Sequence, residues 1–183
     1  MTPENDPQPW RIERSEYLIQ RPWLTVRQDA VRLPNGGYLP DYYIFEYTDW
    51  VNVVAVTTEG QLVLIRQYRH GIGGTYYELC AGAVDPGEDL LTSAQRELLE
   101  ETGYGGGDWR LFMTLSANTG THTNRNYTFL ARNVTYRQPQ HLEETEEIAV
   151  HLVSAEQALA IVDGGQMMQS MCAAPLLRYL LNP

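Results

Sequence analysis

Residues 82–104 read GAVDPGEDLLTSAQRELLEETGY. Leu91, Ala94 and Leu98 recur at the spacing of one helix face and Gly103 follows as a C-terminal cap, so the pattern predicts a helix from about Leu90 to Thr102. On that helix Glu97, Glu100 and Glu101 stand at i, i+3 and i+4 and share an arc of roughly 100°. Like charges at these spacings destabilise a helix by about 0.2–0.5 kcal/mol per pair, and the cluster calls for compensation. A divalent cation supplies it. Oxygen-only ligands on a rigid element suit Mg²⁺ or Mn²⁺ over Zn²⁺, and Mg²⁺ usually binds through carboxylates together with substrate phosphates. The alternative is a solvated acidic face paired with Arg96.

Outward from this helix the periodicity changes. Residues 10–57 carry short aromatic and β-branched runs, WRIERSEYLI, WLTVRQDAVRL, YLPDYYIFEY and VNVVAVT, broken by turn chemistry at Pro34-Asn35-Gly36-Gly37, and read as antiparallel strands. LVLIRQYR begins with a continuous apolar run expected of a strand buried on both faces, and YYELC reads as one further short strand. Beyond the helix, WRLFMTLS, NYTFLARNVT and EEIAVHLVS are expected strands. Ser154 with Gln157 forms a capping box ahead of a helix ended by Gly164-Gly165, and a last helix covers Ser170 to Leu181. The order of elements indicates an α+β sandwich with helices flanking a sheet.

The chain has 183 residues, 43% of them hydrophobic, enough for one core. A formal net charge of −10 without clustered Lys and Arg argues against nucleic acid as a partner. Cys80 and Cys172 have no metal-ligand spacing, in keeping with a reducing compartment. The N-terminal MTPENDPQPW lacks the charged and apolar regions of a signal peptide, and no apolar run reaches the roughly 18 residues of a membrane span. These features read as a cytoplasmic protein with no membrane partner.

Gly82, Glu88, Arg96, Glu97, Glu100, Glu101 and Gly103 fit G-x5-E-x7-R-E-U-x-E-E-x-G-U, with Leu98 at the first apolar position and Tyr104 where an aliphatic residue is usual. The segment resembles the Nudix box. The resemblance implies a Nudix-type α/β/α sandwich with a mixed β-sheet and a hydrolase acting on a nucleoside diphosphate linked to another group. By it, Glu97, Glu100 and Glu101 are the carboxylate ligands of Mg²⁺ (or Mn²⁺), a backbone carbonyl near Ala81 or Gly82 adds an oxygen, Arg96 orients Glu97, and Glu88 is a structural partner. The general base is expected in the later acidic run Glu143-Glu144-Thr145-Glu146-Glu147, where Glu144 and Glu146 both qualify, with Glu97 as the fallback.

The resemblance extends over roughly residues 25–180 and is to the ADP-ribose pyrophosphatase and nucleoside-diphosphate-sugar branch. It implies that Arg69, Arg66 and Glu78 serve the substrate side. The loop 118–125 itself offers amides, hydroxyls, His122 and Arg125, suited either to bonding a ribose, sugar or phosphate or to satisfying a turn. The resemblance also implies an additional N-terminal antiparallel sheet, residues 1–48, that mediates a homodimer, ahead of a catalytic domain at 49–183. Cys80 stands where that branch has proline, and the 118–125 loop lacks its proline-containing pattern, leaving base and sugar open. ADP-ribose or another ADP-sugar is the expected substrate. GDP-mannose and other nucleoside-diphosphate compounds are alternatives, and a non-catalytic ADP-ribose sensor is the alternative of a different class.

Overall fold

A computed structural model describes residues 6–182. Two compact units are present, one formed by the chain up to Tyr47 together with Asn118–Asn124, the other by Thr48–Ala117 and the chain from Arg125 onward.

In the first unit, β1 (Arg11–Arg21), β2 (Leu24–Arg32) and β3 (Tyr38–Glu46) form an antiparallel sheet in the order β1-β2-β3. The 118–124 loop joins its edge, with Phe45 N–H donating to Thr121 O at 2.8 Å. Asp29 is buried in this sheet. Arg27 grips it with two parallel hydrogen bonds, Nε to Oδ1 at 2.9 Å and Nη2 to Oδ2 at 3.0 Å, and Ser15 Oγ donates to Oδ1 at 2.6 Å. Arg27 also pairs with Glu46.

The second unit holds an eight-stranded mixed sheet. Its strands are β4 (Trp50–Thr57), β5 (Leu62–Arg69), β6 (Gly74–Glu78), β7 (Cys80–Ala83), β8 (Tyr104–Gly105), β9 (Asp108–Leu115), β10 (Asn126–Tyr136) and β11 (Ile148–Val153). The backbone order is β11-β5-β4-β10-β8, with β6 on β5, β7 on β4 and β9 on β10. Two sequence expectations are corrected here. The VNVVAVT strand belongs to a different sheet from the first three, antiparallel to β5 and β7 but parallel to β10, and YYELC divides into β6 and β7 at Leu79 because the chain changes partner from β5 to β4. The side-chain alternation continues through the change, so the pattern carries no mark of it.

Strand alternation sends side chains to two cores. Val51, Val53 and Ala55 of β4 and Val63 and Ile65 of β5 meet Ala94 and Leu98 of α1 (Leu90–Thr102). Val54, Val56, Leu62 and Leu64 point to the opposite core with Ala158 of α2 (Ala155–Asp163) and Cys172 and Leu176 of α3 (Ser170–Leu181). Leu62–Ile65 are buried on both faces, as their unbroken apolar run predicts. Burying each such side chain contributes about 1.5–3 kcal/mol.

Local chemistry sets the helix ends. Asp89 caps α1 by accepting from the Leu91 and Thr92 N–H groups, and Gly103 closes it at φ 76° with its N–H on Leu99 O. A Cβ at Gly103 would meet Gln138 O at 2.1 Å, which excludes other residues on two grounds. The Ser154–Gln157 capping box is present at α2.

Burial alone would raise the Asp29 carboxyl, but hydrogen bonds from Arg27 and Ser15 outweigh it and hold the group below the usual carboxylate range. A carboxylate depressed on folding stabilises fully above its unfolded pKa and loses that contribution as pH falls through the folded value. Asp29→Asn is expected to cost roughly 1–3 kcal/mol at pH 7, with the difference from wild type shrinking below about pH 4. Denaturant unfolding at the two pH values measures it.

Candidate active site

The first turns of α1 project Arg96 into the loop that precedes the helix. Its guanidinium grips Glu88 through two hydrogen bonds, Nε to Oε1 at 3.1 Å and Nη2 to Oε2 at 3.0 Å. The Nη1 atom serves Glu97 Oε1 at 2.8 Å and Glu100 Oε2 at 3.2 Å. The structure thus gathers Glu88, Glu97 and Glu100 around one cation, with Glu88 as the structural partner. Glu97 and Glu100 each keep a second oxygen clear of Arg96.

The box carboxylates also lean on β7. Glu97 lies directly over Gly82: a Cβ there would come within 2.1 Å of the carboxylate carbon and of Oε1. Glu101, nearly fully buried, accepts from the Ala81 N–H at 3.0 Å. Burial pushes its carboxyl up to about 8, against hydrogen bonds from Cys80 and Ala81, and the negative charges of Glu97 and Glu146 raise it further. Glu97 is raised as well, by burial first, and again Glu100 and Glu146 act against the pull of Arg96. Buried carboxylates crowded in this way need a positive partner.

Among the described residues, no group of three or more His, Cys, Asp or Glu side chains is placed to hold a metal ion. The donor set nevertheless fits a hard divalent cation: the free oxygens of Glu97 and Glu100, the Glu101 carboxyl and the backbone of Ala81–Gly82 are all oxygen donors on rigid elements, with a surplus of negative charge.

The strand Cys80–Ala83 has a second role. Ala81, Gly82 and Ala83 form one wall of a cavity of about 540 Å³. Its other walls come from Trp50 and Asn52 of β4, Asn126 of β10, the turn from Arg69 to Ile72, and Met168–Cys172 at the start of α3. Arg69 and Glu78 face it as a forked pair, Nε to Oε1 at 2.8 Å and Nη2 to Oε2 at 2.5 Å. Arg66 and Arg125 are not among the cavity's lining residues. Arg66 stacks on the Tyr77 ring at 5.2 Å, and Arg125 is exposed, with its backbone N–H on Asp49 Oδ1 at 2.8 Å.

In the acidic run, Glu144 is exposed in a turn whereas Glu146 is half-buried and accepts from Glu143 N–H at 2.9 Å. One residue that the sequence pattern did not single out anchors this run. Gln140 Nε2 donates to Glu101 O at 2.6 Å and to Ile148 O at 3.2 Å, tying the last turn of α1 to the start of β11, and His141 N–H donates to Glu100 O at 2.9 Å. Its signal is long-range pairing, which a polar loop residue does not advertise.

Residues 47–170 match the NUDIX domain model. The chain belongs to the Nudix family. Residues 10–45 match the nucleoside diphosphate sugar hydrolase N-terminal domain. The protein is 31% identical over 159 residues to a Bacillus subtilis protein named ADP-ribose pyrophosphatase, covering 86% of this chain and 85% of that one. A Mycobacterium tuberculosis protein of the same name is 30% identical over 166 residues, covering 89% and 79%. A solved structure titled as an ADP compounds hydrolase superposes with a TM-score of 0.83 over 96% of this chain and 94% of that chain, and at 21% identity it shows the Nudix fold alone. The protein is therefore a Nudix hydrolase, from a family that generally uses divalent metal ions.

Gly82→Ala tests the seating of Glu97. The Ala backbone is permitted, and the clash falls on the flexible end of a side chain, so stability should change by less than about 1 kcal/mol. The carboxylate is displaced, and kcat should fall by roughly a hundredfold. Thermal melts and steady-state kinetics on one preparation read both.

Proposed function

We propose that this Nudix hydrolase cleaves the diphosphate of a nucleoside diphosphate linked to another moiety, with ADP-ribose or another ADP-sugar as substrate, giving a nucleoside monophosphate and a sugar phosphate. The observation that carries the reading is the shared strand: β7 has Glu97 and Glu101 of α1 packed against it and also walls a cavity sized for a nucleotide-like ligand. The names of the B. subtilis and M. tuberculosis relatives support the ADP-ribose choice.

The metal in this reading is Mg²⁺, with Mn²⁺ able to replace it, held by Glu97, Glu100, Glu101 and the backbone at Ala81. When bound, such an ion neutralises the diphosphate and acidifies a water. Arg96 fixes the Glu97 and Glu100 carboxylates in one orientation and Glu88 fixes Arg96. Arg69, braced by Glu78, presents positive charge to the anionic part of the substrate. Arg66 and Arg125, neither of them lining the cavity, are left for parts of the substrate that extend beyond it. For the proton of the attacking water we favour Glu146 over Glu144, because its charge acts on both Glu97 and Glu101 while Glu144 is exposed. Replacing a general base typically reduces rate by about 10²–10⁴. Glu146→Gln should lose that much kcat and Glu144→Gln little. Equal, small effects would return the role to Glu97.

Substrate choice is read by incubating the protein with Mg²⁺ and ADP-ribose, ADP-glucose, GDP-mannose, NADH or a nucleoside triphosphate, and coupling product release to a phosphatase. Turnover of ADP-sugars ahead of the others is expected. Tight binding of ADP-ribose without turnover would favour a sensor.

We further propose a homodimer built on the N-terminal sheet. Every residue of β1 is exposed, among them Ile12, Tyr17, Leu18 and Ile19, and so is Trp23 in the adjoining turn. Such surface on a short sheet favours a partner. Sedimentation at micromolar concentration should give twice the chain mass. Ile12→Lys with Ile19→Lys should give a monomer.

A further inference from the structure

We propose that Asn126 is a specificity-determining residue whose carboxamide oxygen, in the floor of the cavity, accepts a hydrogen bond from a hydroxyl or amine of the substrate. The residue presupposes the substrate class proposed above, and its orientation is set from a distance by a proline.

Pro175 lies inside α3. Having no N–H, it leaves the carbonyl four residues earlier, Met171 O, without its helical donor. Asn52 Nδ2 takes that place at 2.7 Å. A carbonyl only accepts, so the Asn52 amide has one orientation and turns Oδ1 toward β10. There Asn126 Nδ2 donates to Asn52 Oδ1 at 3.1 Å and approaches Thr128 Oγ1 at 3.4 Å. A flipped Asn126 would set two acceptors against each other. Both hydrogens of Nδ2 are therefore directed at protein acceptors. Among the described residues, no donor meets Asn126 Oδ1, and although the residue is largely buried this oxygen is not sealed off, in keeping with its place on the cavity that Asn126 lines.

The chain Pro175, Met171, Asn52, Asn126 thus delivers a fixed acceptor to a wall that also bears Trp50, Ile72 and Met168. The cavity offers contrasting polar groups, a guanidinium at Arg69 for anionic oxygens and an acceptor at Asn126 for a donor. In the free protein water can meet this acceptor; a ligand that displaces the water satisfies it only by bringing an O–H or N–H, and a ligand lacking that group leaves it unpaired. In a nucleoside-diphosphate sugar the donor is either a ribose or sugar hydroxyl or the exocyclic amine of the base.

The test compares wild type, Asn126→Leu, which removes the acceptor at similar volume, and Asn126→Asp, which keeps an oxygen in place. Both variants lose the bond to Asn52, so melting temperatures report that shared structural effect. Each protein is assayed for kcat and KM with ADP-ribose, with IDP-ribose, which replaces the amine by a carbonyl, and with the 2′-deoxy compound. Affinity for non-cleavable α,β-methylene ADP-ribose is measured by calorimetry. In Asn126→Leu, KM and Kd for the donor-bearing compound should rise roughly ten- to a hundredfold. Discrimination against the analogue lacking the donor should vanish there and persist in Asn126→Asp. The analogue that wild type rejects identifies the base amine or the hydroxyl as the source. A uniform loss across all compounds, or an unchanged Kd in Asn126→Leu, overturns the assignment. Binding of the methylene analogue without turnover of any compound would overturn the hydrolase reading while the Kd series still decides Asn126.

Discussion

One guanidinium organises the acidic face of this protein. Arg96 holds Glu88 by two bonds and Glu97 and Glu100 by one each, within a single turn of α1 and the loop before it. Without it, carboxylates at i, i+3 and i+4 would repel each other and splay toward solvent. With it, Glu97 is pressed over the bare α-carbon of Gly82, and the neighbouring Glu101 is drawn into the core against Ala81. The arrangement is charged, partly dry and still short of positive charge, which is why burial raises both Glu97 and Glu101. A cation and an anionic substrate are what the proposed function supplies there.

The rest of the fold serves that position. β4 and β5 carry apolar side chains to both faces, so α1 and the pair α2 and α3 clamp the sheet from opposite sides. β7 runs beside β4 with the carboxylates against it and the cavity along it. Gln140 then ties the end of α1 to β11, so the loop carrying Glu146 is fastened to α1 at its first root and closed onto Ile148 at its second. The proposed reaction centre on α1 and the cavity wall meet at β7, a suitable base for catalysis by positioning.

What could be read in the sequence was what local chemistry dictates. The helix from Leu90 to Thr102 announced itself by apolar spacing and by Gly103, α2 by its capping box, and the carboxylate trio by its spacing. The Arg96 pairings needed little more, since Glu88, Glu97 and Glu100 are near in sequence. What stayed hidden depends on partners far along the chain. The change of strand partner at Leu79, the parallel pairing of β4 with β10, and the grouping of the 118–124 loop with the first three strands leave no periodicity behind. Gln140, Asn52 and Asn126 are unremarked polar residues in sequence, and acquire roles only when folding sets them against Glu101, Met171 and each other. Arg66 and Arg69 share one strand, yet only Arg69 lines the cavity.

We propose that the α1 carboxylates against β7 form a divalent-metal site coupled to the neighbouring cavity. Electron paramagnetic resonance of Mn²⁺ titrated into the protein tests it most directly, with and without α,β-methylene ADP-ribose, in wild type and Glu101→Gln. Saturable Mn²⁺ binding that tightens with the nucleotide in wild type, and is lost in Glu101→Gln while the fold persists, is the predicted result. Identical Mn²⁺ binding by the two proteins, or binding indifferent to the nucleotide, would contradict it.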